Sequence, residues 1–220
     1  MSISLGESNY PILIYTGAEA KIYIERWFDE LVIRKHRIVK SYRIAELDQT
    51  IRQSRTSHEA TLLLEVRKLG VPVPTLLHVD LDSSTLIMDY VEGTTLKDEL
   101  CNISKSERRS RFSMLGKYLA NMHKGGIVHG DMTLSNVISQ NGRLCMIDFG
   151  LGNLSIKVED MGVDLLLLNR SLRSTHYQFH AELFRSFLNA YTSTIGQKRG
   201  LEIVEKMREV ERRGRYFERV

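Results

Sequence analysis

The segment His129-Gly130-Asp131-Met132-Thr133-Leu134-Ser135-Asn136 is followed, twelve residues after Asn136, by Asp148-Phe149-Gly150. These are the residue types that phosphoryl transfer needs. That reaction asks little covalent chemistry of a protein; it asks for positioning and neutralised charge. A carboxylate must meet the attacking hydroxyl or water, and Asp131 can do so from a loop. Two oxygen ligands must hold magnesium against nucleotide phosphates, since Mg2+ takes hard oxygen donors and bridges to its substrate. Asn136 and Asp148 suit that task, and a short hairpin between them can bring them together. Gly150 frees the backbone just past the metal ligand. Alone, H-x-D is a turn or a cap; in this order and spacing, behind an apolar helix, the set points to chemistry.

The elements that must carry these residues can be read from the pattern. Pro11 to Tyr15, Lys21 to Phe28 and Glu30 to His36 are rich in Ile, Tyr and Val and read as strands. From Ile44 to Leu69 the pattern is helical, with Leu62, Leu63, Val66 and Leu69 at three- and four-residue spacings. Gly70 and the GVPVP segment stop it. Thr75 to Asp80 and Ser84 to Tyr90 add two strands, giving a five-stranded sheet with one helix over residues 1–90. Residues 91–95 (VEGTT) read as a hinge. Beyond them, over residues 96–220, helices are expected at Leu96–Cys101, Ser104–Lys124, Asp160–Arg173, His176–Ile195 and Leu201–Arg212. Strands at Val137–Ser139 and Leu144–Ile147 interrupt this run. The expected fold is α+β, a β-rich front lobe and a reduced helical rear lobe.

Bulk composition fits a soluble globular chain of 220 residues, with 42% hydrophobic and 26% charged residues. Cys101 and Cys145 have no metal-ligand spacing and imply a reduced compartment. No run approaches the ~18 apolar residues that span a bilayer, and MSISLGESNY lacks the regions of a signal peptide. No membrane association and a cytoplasmic location are expected. The net charge of +4 is unevenly spread. Arg34, Lys35, Arg37, Lys40 and Arg43 fall in ten residues without an acid, and Lys206 to Arg219 carries six cations against three glutamates. Each patch by itself fits a solvated face; together they suggest an anionic partner such as RNA.

The His129–Asn136 and Asp148–Gly150 motifs resemble the protein-kinase superfamily. The resemblance implies a strand lysine and a helix glutamate upstream. Lys35 ends Leu31-Val32-Ile33-Arg34-Lys35 and is favoured over Lys40, which falls after the strand pattern. Glu59 on the following helix is its expected partner, with Glu65 as the rival. Met88, Asp89, Tyr90 and Val91 would line the adenine pocket, and Gly17 and Ala18 would occupy the phosphate-loop position. The implied cofactors are ATP and Mg2+. The departures carry information too. Thr16-Gly17-Ala18-Glu19-Ala20-Lys21 has one glycine where G-x-G-x-x-G is expected. Gly130 replaces the usual arginine, and Thr133 replaces the lysine of serine/threonine kinases. Only eight residues separate Gly150 from Glu159, which leaves hardly a peptide-docking platform.

One subfamily fits these departures. Lys35-His36-Arg37-Ile38-Val39-Lys40-Ser41-Tyr42-Arg43, His129-Gly130-Asp131, Asp148-Phe149-Gly150-Leu151 and the terminal Arg213-Gly214-Arg215 resemble the minimal kinase/ATPase subunit of the KEOPS complex. The resemblance implies an atypical serine/threonine kinase whose working activity is ATP hydrolysis. It also implies support of threonylcarbamoyl modification at tRNA position 37. The implied partners are the threonylcarbamoyl-transferase catalytic subunit, a small accessory subunit and tRNA, the last through Arg212, Arg213 and Arg215. A small-molecule phosphotransferase of the aminoglycoside or choline kinase type also uses H-G-D, but needs helical insertions that a short rear lobe lacks. A non-catalytic ATP-binding scaffold would not need Asp131. His123 is expected to cap or pack its helix, and His129 to brace the loop. Asp164 resembles the aspartate that holds the catalytic-loop backbone, and Cys145 is expected in a buried strand position.

Overall fold

The computed structural model describes residues 10–217, with side chains through Arg213. The expectation placed on MSISLGESN lies outside the described residues. The chain divides into two compact units: one runs through Thr61 and includes Pro74–Tyr90, the other comprises Leu62–Val73 and the chain from Val91 onward.

The first unit is an antiparallel sheet. Its strands β1 (Ile12–Thr16), β2 (Ala20–Trp27), β3 (Glu30–Arg37), β4 (Leu76–Asp80) and β5 (Thr85–Asp89) lie in the order β1-β2-β3-β5-β4. Strands β2 and β3 pair over their full length, from Ala20↔Arg37 to Trp27↔Glu30. Their two-residue connection puts exposed Phe28 at φ 54°, the positive φ that tight hairpins require. Strand β3 is central, pairing with β5 from Val32↔Asp89 to His36↔Thr85. Ile24, Val32 and Leu86 are buried in this unit.

Helix α1 (Ala45–Lys68) follows β3. Thr56, Glu59, Ala60, Leu63 and Val66 are buried along it at three- and four-residue spacings, the stripe of a helix packed on one side. Gly70, at φ 73°, ends the helix, and its amide donates to the Arg67 carbonyl at 3.0 Å. The last two turns of α1 and the segment after them belong to the second unit, where the Met146 amide donates to the Pro72 carbonyl at 2.9 Å.

The second unit is mostly helical. It contains α2 (Leu96–Glu99), α3 (Lys105–Lys124), α4 (Val158–Thr175), α5 (Tyr177–Ile195) and α6 (Gln197–Phe217). Ser104 and Glu107 form a reciprocal capping box that starts α3. Helices α3 and α5 approach closely at Gly116, where an added Cβ would stand 2.4 Å from the Phe187 carbonyl oxygen. Phe112, Leu115, Leu119, Leu165, Phe187 and Ile203 are fully buried among these helices.

Short strands tie the loops down: β6 (Thr94–Thr95), β7 (Ile127–Val128), β8 (Val137–Gln140), β9 (Arg143–Met146) and β10 (Asn153–Leu154). The β8–β9 hairpin turns at Asn141-Gly142, both at positive φ (49° and 88°), a preferred sequence for this turn. The expected hinge differs in detail: Thr94 and Thr95 pair with Ser139 and Ile138, and the Thr95 hydroxyl caps α2. Helix α4 begins two residues before the expected Asp160 and α6 four before Leu201. Cys145 lies on β9 but is half-buried, not buried, because its strand carries a covered residue on each side of it instead. No helix among the described residues is long and apolar enough to cross a membrane.

Candidate active site

The sequence-derived candidates fall into two groups, one in each unit. In the second unit, β7 leads into the loop His129–Asp131, and a 3-10 turn (Leu134–Asn136) leads from it into β8. The Asn136 side-chain amide donates to the Asp131 carbonyl oxygen at 2.8 Å and to the Asp131 carboxylate Oδ2 at 2.9 Å. Both bonds leave from Nδ2, so the network assigns the amide orientation, and Oδ1 is the atom Asn136 can offer a cation. The Ile147 amide donates to the Asn136 carbonyl at 3.0 Å, and Val137 pairs with Met146. The hairpin thereby sets Ile147, the residue before Asp148, opposite Asn136.

Asp148 itself is exposed and sits at φ 62°, a left-handed conformation that Asp tolerates better than most residues. The Gly150 amide donates to its Oδ1 at 3.2 Å. Phe149 next to it is fully buried and packs on the His129 ring, centroids 4.6 Å apart.

His129 braces the loop by two bonds. Its Nε2 lies 3.1 Å from the Ile147 carbonyl oxygen, and the Asp131 amide donates to its Nδ1 at 3.3 Å. A carbonyl on one side and an N–H on the other assign the hydrogen to Nε2. Beneath the loop lies Asp164 of α4, fully buried. It accepts from the His129 amide at 2.6 Å and from the Gly130 amide at 2.8 Å, the backbone anchoring expected of it. His123 does more than cap or pack its helix: its Nε2 lies 3.1 Å from Asp164 Oδ2 and its Nδ1 lies 2.6 Å from the Tyr191 hydroxyl. Burial, reinforced by the nearby Asp164 charge, pushes the Tyr191 phenol far above its ordinary range, so it keeps its proton and can donate it to His123.

Gly130 is more than a missing arginine. It sits at φ 77°, and an added Cβ would stand 2.0 Å from the Leu151 carbonyl oxygen. The strand pair β7–β10 fixes that approach, with Asn153↔Val128 in register and the Ser155 amide donating to the Gly126 carbonyl at 2.8 Å. Any side chain at 130 collides with the segment after Gly150. Gly130→Ala is expected to cost about 2–4 kcal/mol, from left-handed strain and displaced backbone. Thermal unfolding should register this as a fall of roughly 5–15 °C; an unchanged melting temperature would refute the close approach.

In the first unit, Lys35 Nζ lies 2.6 Å from Glu59 Oε1, and Arg37 Nη2 lies 2.7 Å from Glu59 Oε2. Lys35, Arg37 and Glu59 are all buried. Arg37 Nη1 also reaches Glu19 at 3.5 Å, and Arg55 of α1 pairs with the other oxygen of Glu19. The Arg55 hydrogen bond, ahead of the Arg55 and Arg37 charges, holds the Glu19 carboxyl below its usual range. The rivals go elsewhere: Lys40 bonds the Ala18 carbonyl, and Glu65 pairs with Lys68 at 2.7 Å. Gly17 and Ala18 form the β1–β2 turn, closed by the Gly17 amide on the Ala20 carbonyl at 2.9 Å. Met88 and Asp89 end β5, and the Asp89 carboxylate accepts from the Thr75 amide at 2.6 Å. Tyr90 donates its amide to the Leu31 carbonyl at 3.3 Å, and Val91 opens the second unit.

The cations of the basic run Arg34–Arg43 are tied to partners within the first unit. Arg34 pairs with Glu25 at 2.7 Å, Lys35 and Arg37 with Glu59, Lys40 with the Ala18 carbonyl, and Arg43 with Asp48 at 3.4 Å. Arg37, Glu19 and Arg55 were not singled out as site residues from the sequence. The available signal was the spacing of Arg37 two residues after Lys35, which puts both on one face of a strand.

A family model described as the RIO domain matches residues 27–152, which include Lys35, Glu59, Asp131, Asn136 and Asp148 but not the Gly17 turn. Fold and match together define an atypical kinase of the RIO class. The chain is 43% identical over 213 residues to the KEOPS complex subunit Bud32 of Pyrococcus abyssi, an alignment spanning 94% of this chain and 97% of that one. It is 38% identical over 207 residues to the "Probable serine/threonine-protein kinase BUD32 homolog" of Archaeoglobus fulgidus, again spanning 94% and 97%. The chain belongs to this Bud32 family of RIO-domain proteins. A third relative, the "Probable bifunctional tRNA threonylcarbamoyladenosine biosynthesis protein" of Methanothermobacter thermautotrophicus, is 43% identical over 206 residues. That alignment covers 94% of this chain but only 37% of the bifunctional protein.

Proposed function

We propose that this chain is the ATP-consuming subunit of a KEOPS assembly, an atypical kinase whose working reaction is ATP hydrolysis in support of threonylcarbamoyladenosine formation on tRNA. The observation that carries the reading is Asp131, held by the Asn136 amide on a loop anchored to the helical core. The donor set fits magnesium: Asn136 keeps its Oδ1 for a cation, Asp148 adds a carboxylate, and both are hard oxygens. Among the described residues no three His, Cys, Asp or Glu side chains gather as a metal site. A magnesium held by Asn136 and Asp148 would leave coordination sites for nucleotide phosphates, as is usual for this ion.

When bound, magnesium–ATP supplies the transferable phosphoryl group and neutralises its charge. The chain supplies the geometry. Asp131 Oδ2 is fixed by Asn136, and its other oxygen takes the hydrogen bond of the attacking water or hydroxyl. Lys35, steadied by Glu59, carries positive charge for the α- and β-phosphates. By the kinase resemblance, the Gly17–Ala18 turn would bind the phosphates, and Met88, Asp89, Tyr90 and Val91 would bind the adenine. Water is favoured as acceptor because only eight residues separate Gly150 from Glu159, and Gly130 leaves no arginine to read a phosphorylated segment.

The names of the relatives support the choice of partners. A relative in which a Bud32-like region forms 37% of one longer bifunctional chain supports a physical association between this chain and a threonylcarbamoyl-transferase subunit. The small accessory subunit and tRNA complete the proposed assembly, in the cytoplasm. Arg212 and Arg213 are exposed on α6 and carry the proposed tRNA contact with Arg215, whose side chain lies outside the described residues. Arg213 is already committed to Glu159 at 3.2 Å and Glu209 at 2.9 Å, so Arg212 is the stronger contributor of the two described cations.

ATP hydrolysis by the purified chain, alone and with the transferase subunit and tRNA, tests the reading. Turnover should rise at least several-fold in the complete mixture. Robust, tRNA-independent phosphorylation of small alcohols would replace the proposal with a small-molecule kinase.

A further inference from the structure

We infer that Arg37 is a positioning residue for ATP turnover: it grips the second oxygen of Glu59, keeps that carboxylate aimed at Lys35, and ties the β1–β2 turn to α1 through Glu19. This rests on the ATP-hydrolysing reading above.

Glu59 is 2% exposed and has a different cation on each oxygen, Lys35 at 2.6 Å and Arg37 at 2.7 Å. Lys35 is the partner whose charge a nucleotide would share. A buried carboxylate held by that lysine alone would lose compensation, and its fixed direction, just when phosphates arrive. Arg37 removes the problem. It follows Lys35 by two residues on β3, so both side chains leave the same face of the strand. Being 4% exposed, it is held away from solvent.

The guanidinium suits this task as an ammonium does not. Its donors lie in a rigid planar fork, so one group can serve two acids. Arg37 Nη2 takes Glu59, and Nη1 reaches toward Glu19 at 3.5 Å. Glu19 sits in the turn at the phosphate-loop position, where a bare carboxylate would repel phosphates. Arg55, four residues before Glu59 on α1, takes the other oxygen of Glu19. One chain of charges, Lys35–Glu59–Arg37–Glu19–Arg55, joins turn, strand and helix. In regulated kinases the corresponding glutamate is set by helix movement and activation-loop phosphorylation. Here the first unit carries its own second clamp.

The test is a double-mutant cycle on steady-state ATP hydrolysis, using the full chain in its partner complex, well below each variant's melting temperature. Arg37→Gln should lower kcat/KM for ATP about tenfold, and Arg37→Lys should recover part of the loss because it restores charge without the fork. On a Glu59→Gln background, Arg37→Gln should cost less than about twofold, since the carboxylate it aims is gone. Activity of Arg37→Gln within about twofold of wild type, or the same loss on both backgrounds, overturns the clamp. If Arg37→Gln does not fold, Arg37→Lys carries the same cycle, with a several-fold loss expected alone and none on Glu59→Gln. A wild-type complex without ATP turnover would overturn the functional reading and the clamp together. Wild-type turnover that Asp131→Ala abolishes, with a failed cycle, removes only the clamp.

Discussion

Asp131→Ala is expected to lower kcat for ATP hydrolysis by about 10²–10⁴-fold while leaving magnesium–ATP affinity within a few-fold of wild type. The separation of the two effects follows from how Asn136 is held. Its amide nitrogen bonds both the Asp131 side chain, at 2.9 Å, and the Asp131 backbone carbonyl, at 2.8 Å. Truncating the side chain removes the first bond and keeps the second, so Asn136 stays anchored with its Oδ1 available for the cation. Asp148 is placed by other bonds, the Ile147 amide on Asn136 and the Gly150 amide on its own carboxylate. Neither depends on the carboxylate at 131. Asp131→Asn sharpens the test, because its amide oxygen can still accept from Asn136 while the charge and basicity are gone. Both variants should bind nucleotide and turn it over equally slowly. A kcat within about tenfold of wild type in either one would rule out the carboxylate as the group that meets the attacking oxygen.

The motifs that carry this chemistry are contiguous, and so they were legible. His129–Asn136 and Asp148–Gly150 announce a loop and a hairpin, and offer two candidate oxygen ligands, without any knowledge of the fold. The five strands of the front sheet and helix α1 were legible too, since β-branched runs and a three/four-residue stripe are local signals. What stayed hidden depends on long-range partners. Strands β7 and β10 are two residues each and exist only because Asn153 finds Val128 and Leu154 finds Ile127. Helix α4 starts after Lys157, which makes no side-chain cap, so no cap residue marked its first turn. The run from Arg34 to Arg43 looked like a surface patch because its acids, Glu19, Glu25, Asp48 and Glu59, sit on other elements. His123 offered nothing in its own neighbourhood; its partner Tyr191 is 68 residues away.

The other ring nitrogen of His123 bonds the residue on which the largest loss of stability is expected. Asp164→Ala should cost about 3–5 kcal/mol and, where the protein still folds, lower kcat by roughly 10²-fold. Asp164 is fully buried and accepts from three directions: the His129 amide at 2.6 Å, the Gly130 amide at 2.8 Å and His123 Nε2 at 3.1 Å. Alanine leaves three donors facing a void, and an orphaned buried donor costs about 1–3 kcal/mol. The catalytic loss follows from the same bonds. The His129 and Gly130 amides immediately precede Asp131, so releasing them loosens the backbone that carries its carboxylate. Asp164→Asn separates shape from bonding, for it keeps the volume and supplies one acceptor oxygen in place of two. If that oxygen faces His129 and His123, the new NH2 meets the Gly130 N–H; turned over, it meets the other two donors. Either way a donor opposes a donor, and a loss of about 2–3 kcal/mol is expected by urea unfolding. Stability of Asp164→Asn within about 0.5 kcal/mol of wild type would mean that Asp164 fills space under the loop and does not anchor it. The Tyr191→Phe change gives a graded control: it removes only the bond to His123, two steps from the loop, and should cost about 1 kcal/mol. A larger effect of Tyr191→Phe than of Asp164→Asn would reverse the order of dependence along Tyr191, His123 and Asp164, because the loop amides would then be held by the far end of the chain of bonds and not by the near one.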